Sequence, residues 1–221
     1  MNLLNVVTAR AIWLFDVNEL NPSGKALFPE LFGWLEKEYH FNRVPKSVTD
    51  VDETKALVFS GGTFQVKEKT VINVELKIYN DGFVANTWSS THAAETFLEH
   101  ISISGKEEFS LSYKPEIIRR KMYLSELNVE SLRELIGINQ KLSQLNVKVT
   151  ELIPGILRPT FEVGGITLSP AQCMTPQLLS PFRLERKLNT SPDEHKYYSS
   201  APLHTDDHLK LLDWFEENLM A

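Results

Sequence analysis

The 221-residue sequence predicts an α+β fold, in which hairpins build a mainly antiparallel sheet and about four amphipathic helices pack against it. Three observations lead to this class. Apolar and polar residues alternate over 72–79, which is typical of a half-buried strand. Glycine-containing pairs separate neighbouring strand segments, which favours tight antiparallel turns. Apolar residues recur at helical spacing in several other segments.

The first elements are a strand, a helix and a hairpin. Residues 3–15 are rich in β-formers and predict an opening strand, whereas residues 27–39 predict an amphipathic helix. The apolar stripe of this helix consists of Phe28, Leu31, Phe32 and Leu35. Ser60-Gly61-Gly62-Thr63 then predicts a hairpin, because glycine readily adopts the positive φ that such turns require.

A second hairpin is predicted at Asp81-Gly82, a pair typical of type I′ turns. With these two residues as the loop, Ile78 faces Ala85 and Leu76 faces Thr87, which keeps one face of the strand pair apolar. A helix over 91–101 follows this hairpin.

The second half of the chain repeats the alternation loosely. Its predicted elements are a strand at 121–129, a helix at 131–145, a hairpin at Val163-Gly164-Gly165-Ile166, a strand at 182–188 and a closing helix at 205–219. No residue-level repeat relates the two halves. We predict a single α+β domain over residues 1–221, with two lobes at 1–110 and 111–221 as the alternative subdivision.

Charge and cysteine content exclude several classes of protein. The formal charge of −6 repels phosphate backbones, which disfavours broad nucleic-acid binding and suits a basic partner. Cys173 is the only cysteine, so the chain forms no intramolecular disulfide and no thiolate metal cluster. No signal peptide is recognisable, and the longest apolar run, Ala11–Phe15, is too short to span a bilayer. These features predict a cytoplasmic protein without membrane contact.

The best catalytic candidate is the pair Glu75 and Lys77, which leave the same face of a predicted strand. Together with an upstream Asp52, they match the Asp…Glu-x-Lys pattern of magnesium-dependent nucleases, in which the carboxylates hold Mg²⁺ and the lysine orients water. The alternative interpretation is a solvated strand face, where opposite charges are common. No nucleophile elbow, dinucleotide-binding motif or complete P-loop occurs elsewhere in the chain.

Two motifs near the C-terminus suggest binding. His204 and His208 have the spacing of a zinc-binding helix, but Thr205 stands where the general-base glutamate is needed. Thr205 is also a natural helix N-cap, which leaves His204 outside the helix and favours capping over a metal site. Tyr197 and Tyr198 lie in a predicted connector at 189–203, where adjacent tyrosines suit a contact surface.

These observations favour a non-enzymatic cytoplasmic protein-binding module, such as an accessory subunit or an inhibitor or immunity-type protein. Its contact residues would be Tyr197, Tyr198 and His204. No cofactor is expected, except Mg²⁺ if the chain is instead a nuclease-like hydrolase that uses Asp52, Glu75 and Lys77. A third class, a small-ligand binder, predicts an apolar pocket between sheet and helices. The sequence leaves homo-oligomerisation open.

Overall fold

The computed structural model describes residues 1–24, 26–45, 56–67, 70–133, 140–152, 161, 163–170 and 179–220. Four helices lie within these residues: α1 (Phe28–Tyr39), α2 (Thr91–Phe109), α3 (Gln140–Leu152) and α4 (Thr205–Leu219). The strands there are β1 (Asn2–Leu14), β2 (Leu57–Lys67), β3 (Thr70–Tyr79), β4 (Gly82–Thr87), β5 (Arg120–Glu130), β6 (Gly165–Leu168), β7 (Phe182–Arg186) and β8 (Lys196–Ala201). The predicted α+β class is therefore confirmed.

The strands form an antiparallel sheet in the order β2-β3-β4-β1-β5-β8-β7-β6. Both halves of the chain share one element order, strand-helix-strand-strand-strand-helix, although no sequence repeat reveals it. Within each half the three consecutive strands pair antiparallel. Only two residues separate β2 from β3, and two separate β3 from β4, which is too few for a parallel crossover. The predicted bounds of β1, α1, β5 and α4 agree with the structure to within one or two residues.

The main core lies in the first half. Strand β3 alternates buried and half-exposed residues, and its buried side chains include Val74 and Leu76, both 0% exposed. Against this face pack aromatic rings from α1, α2 and β2. Tyr39 and Phe97 meet edge to face at 5.1 Å, and the rings of Phe64 and Phe97 are 5.3 Å apart. Such contacts add stability to the burial of large apolar surfaces.

The hairpin between β3 and β4 is confirmed, but its predicted register is wrong. Tyr79 pairs with Gly82, so Asn80 and Asp81 form the loop and Leu76 faces Ala85 instead of Thr87. The sequence predicts Gly82 as a loop residue of the turn, but it is the first residue of β4. A Cβ at this position would overlap the carbonyl oxygen of Trp13 in β1, so glycine is required by the close approach of the neighbouring strand.

The hairpin predicted at Ser60-Gly61-Gly62-Thr63 is also wrong. Residues 57–67 form one continuous strand whose pairing with β3 shifts between Phe59 and Gly62. Gly61 has a φ of +68°, so its conformational freedom produces a β-bulge instead of a reversal. Arg43 bridges Ser60 on the other side of this strand.

The second half departs further from prediction. Ser131, Leu132 and Arg133 are not helical, whereas α3 continues to Leu152. Gly165 begins β6, which pairs with β7, so the described residues contain no hairpin reversal at residues 164–165. Residues 196–201, predicted to be part of a connector, form β8. Cys173 lies outside the described residues.

By its internal packing the chain divides into two compact units. One unit comprises residues 1–5, 126–202 and 206–221; the other comprises residues 6–125 and 203–205. The single-domain assignment over 1–221, with lobes at 1–110 and 111–221, stays a prediction. In the part of the chain that the structure describes, no helix is both long and apolar enough to cross a lipid bilayer.

Candidate functional site

A hydrogen-bonded polar row crosses the face of the sheet opposite the aromatic core. Arg10 in β1, Asn86 in β4 and Glu75 in β3 lie in direct register. Arg10 Nε donates to Asn86 Oδ1 at 2.7 Å, and Asn86 Nδ2 donates to Glu75 Oε2 at 3.3 Å. The amide of Asn86, only 6% exposed, therefore links a cation to an anion and fixes the direction of the Glu75 carboxylate.

Glu75 lies in a surface depression of about 460 Å³ in the same compact unit. We call this surface the Trp88 depression; it is lined by Asn42, Arg43, Ser60, Gly61, Asn73, Glu75 and Trp88. The Trp88 side chain is 51% exposed, which is unusual for so large an apolar group. The site thus combines an accessible indole, one guanidinium, one carboxylate and two amides, a set suited to recognition by stacking and hydrogen bonds.

The Asp52–Glu75–Lys77 hypothesis finds limited support in this geometry. Glu75 is the sole acidic residue among those described as lining the depression, whereas Mg²⁺ sites normally use more than one oxygen ligand from protein or substrate. Lys77 lies one row away, where it pairs with Val58 in β2 and Val84 in β4. Asp52 lies outside the described residues, within which no group of three acidic, histidine or cysteine side chains could hold a metal.

Tyr197 and Tyr198 belong to the other compact unit, where they occupy β8. Tyr197 is 2% exposed, so its ring packs in the interior. Tyr198 is half-buried opposite Glu185, and burial beside the Glu126 carboxylate raises the pKa of its hydroxyl. The predicted connector is therefore wrong for residues 196–201, which form a strand, and a partner-binding role for this pair stays a prediction.

The two histidines make unrelated contacts. His204 precedes α4, as predicted, and its ring lies over Tyr123 with centroids 3.6 Å apart. His208 is 0% exposed, and burial lowers the pKa of its imidazole to about 4. The Ser199 hydroxyl donates to the Arg183 carbonyl, so His208 Nε2 must donate to Ser199 Oγ at 2.8 Å. His208 is thus a neutral core residue, and partner binding by His204 stays a prediction.

Thr205 caps a helix other than its own. The backbone N–H of Thr91, at the start of α2, donates to Thr205 Oγ1 at 3.0 Å. In return the backbone N–H of Thr205, at the start of α4, donates to Thr91 Oγ1, also at 3.0 Å. Both threonines are buried, so each hydroxyl satisfies an N–H that water does not reach.

The sequence analysis names Glu75 as a catalytic candidate, which stays a prediction, and it does not name Trp88, Arg43 or Asn42 as candidates. Trp88 is the last residue of a return strand predicted at 83–88 and belongs to no motif, so only alternation along that strand places it on the same face as Asn86. Arg43 and Asn42 reach the site because the bulge in β2 brings Ser60 against residue 43. Such a contact has no local sequence signal.

Comparisons with known proteins add no further constraint. No protein-family model matches the sequence, and no curated protein matches it at a significant level.

Proposed function

We propose that this chain is a protein-binding module whose partner docks on the Trp88 depression. The observation that carries the proposal is a half-exposed tryptophan in a concave site that it shares with Arg43. Tryptophan and arginine are the residues most enriched at the energetic centres of protein interfaces, where they fill pockets and lose water. The cytoplasmic location and the accessory or inhibitory role expected from the sequence form part of this proposal.

The local charge of the surface refines the expected partner. A basic partner follows from the net charge of the whole chain, but docking depends on the charges at the contact surface. Arg10, Arg43 and Lys77 lie on or beside the depression, whereas Glu75 supplies the one carboxylate among the described residues that line it. We therefore propose that the contacting segment of the partner carries acidic and apolar groups, even if its overall charge is basic.

The test is quantitative capture of partners from the native host with the tagged full-length chain. Trp88→Ala should reduce recovery of a near-stoichiometric partner at least about tenfold, because truncating a central tryptophan removes a large buried contact. Trp214→Ala is the matched control, since Trp214 in α4 is 52% exposed and lies outside the depression. It should recover the same partner as the wild type.

Arg43→Glu tests the sign of the charge and should weaken capture most at low ionic strength. Thermal melts establish that the variants fold. The proposal is overturned if no protein is recovered at stoichiometric yield, or if Trp88→Ala and Trp214→Ala recover the partner equally well.

A further inference from the structure

A second concave site lies on the helical side of the sheet, within the same compact unit. It is a pocket of about 290 Å³ enclosed by α1, α2, the ends of β2, β3 and β4, and the segment that joins β1 to α1. The side chains deepest in it are almost fully buried: Leu35 is 4% exposed, Leu57 5%, Phe83 6% and Ile101 6%. The pocket is independent of the Trp88 depression, with which it shares no residue.

The apolar stripe of α1 forms one wall. Phe28, Leu31, Phe32 and Leu35 all line the pocket, and their burial increases from Phe28, which is 46% exposed, to Leu35. The sequence predicts this stripe as core, yet only its last member is fully buried. Phe28 therefore lies at the mouth of the pocket and Leu35 at its floor. An apolar surface of this kind gains free energy when a ligand displaces water from it.

Hydrogen bonds within the protein engage the amide and hydroxyl side chains of the wall. Asn21 donates to the Ala26 carbonyl and accepts from the Ala26 N–H, and Ser102 donates to the Leu98 carbonyl. Asn18, near the mouth, donates to Asp16. A ligand therefore meets mainly apolar surface, with no charged side chain among the described residues that line the pocket.

The size and the aromatic lining identify the class of ligand. An apolar cavity of about 150 Å³ holds one benzene ring, so this pocket has room for about two. Phe28, Phe32, Trp34 and Phe83 supply ring edges and faces, which favour flat aromatic partners. We propose that the pocket binds an uncharged two-ring aromatic molecule of about ten to fifteen non-hydrogen atoms.

The experiment is calorimetric titration of the full-length protein with 2-naphthol, an uncharged two-ring probe at neutral pH. We expect one site with a Kd of about 10–100 µM and a heat capacity of binding that is negative, as burial of apolar surface requires. Binding should also raise the melting temperature of the protein as ligand concentration rises.

Two neighbouring substitutions provide a matched pair. Phe28→Asp places a charge at the mouth and should weaken binding at least about tenfold, since a carboxylate opposes desolvation of the site. Leu27→Asp adds the same charge one residue earlier, where Leu27 is 55% exposed and does not line the pocket, and should leave the Kd within about twofold. An acidic residue at either position favours the start of α1, so both variants should fold.

Leu31→Trp supplies an independent test, because the larger side chain fills the pocket and should abolish binding without lowering the melting temperature. The proposal is overturned if the wild type shows no binding up to about 1 mM, or if Phe28→Asp binds 2-naphthol as tightly as Leu27→Asp.

Discussion

The two halves of the chain have the same order of elements but depend on different interactions. In the first half, strands β2, β3 and β4 have 11, 10 and 6 residues. They pack against a cluster of buried apolar side chains that all come from residues 11–113. The corresponding strands of the second half have 4, 5 and 6 residues. Its interior includes the buried polar side chains of Ser199, Ser200 and His208.

The paired helices show the same contrast. Helix α1 buries Leu35 and Tyr39, whereas no described side chain of α3 is fully buried, and Leu145 and Leu152 are 56% and 72% exposed. The order of elements is therefore shared, while the buried residues that the structure describes differ in kind. Those of the first half are mainly apolar, and those of the second include a larger share of polar side chains.

The largest expected difference between the halves is in core truncation. Leu76→Ala in β3 should lower the free energy of unfolding by about 2–5 kcal/mol, because it leaves a cavity in a fully packed core. Leu145→Ala in α3 should change it by at most about 0.5 kcal/mol, since that side chain is already half in solvent. Chemical denaturation of both variants measures the two losses of unfolding free energy. Equal losses would contradict the contrast between β3 and α3.

The second half should be the pH-sensitive one. Burial lowers the pKa of His208 to about 4, below its value in the unfolded chain, so protonation favours unfolding. The stability that depends on neutral His208 is fully present above about pH 6.5, falls as the pH drops, and is lost at about pH 4. The total loss over this interval is about 3 kcal/mol. Denaturation midpoints of wild type and His208→Gln should converge as the pH is lowered. A constant difference across that interval would exclude this source.

The smallest effect concerns Thr91 and Thr205, which begin the corresponding helices α2 and α4. Thr91→Val and Thr205→Val each leave a buried backbone N–H without its acceptor and should cost about 1–2 kcal/mol. The Thr205 hydroxyl also donates to the Thr91 hydroxyl at 3.3 Å, and either single variant breaks this bond. The double variant should therefore lose less stability than the sum of the single ones. Strict additivity in this double-mutant cycle would show that the bond between the two hydroxyls adds no stability.

Local patterns predicted the elements that carry strong periodicity. The alternation of 72–79 and the acidic first turn of α4 depend on neighbouring residues alone, so they are visible in sequence. Gly61 and Gly82 show where local patterns fail to predict structure. The positive φ of Gly61 is compatible with a turn or with a bulge. The need for glycine at position 82 depends on Trp13, which lies in a strand distant in sequence. The Trp88 depression was unpredictable for the same reason, because Arg43, Asn73 and Trp88 come from three separate segments.

The bulge at Gly61 has a further consequence for the behaviour of the protein in a concentrated solution. Strand β2 ends the sheet, and an 11-residue edge with apolar side chains is a template for aggregation through backbone pairing with other chains. The bulge interrupts the regular row of donors and acceptors, and the Arg43–Ser60 bridge occupies part of it. The edge thereby resists edge-to-edge growth into fibrils while the side chains nearby stay available for specific contacts.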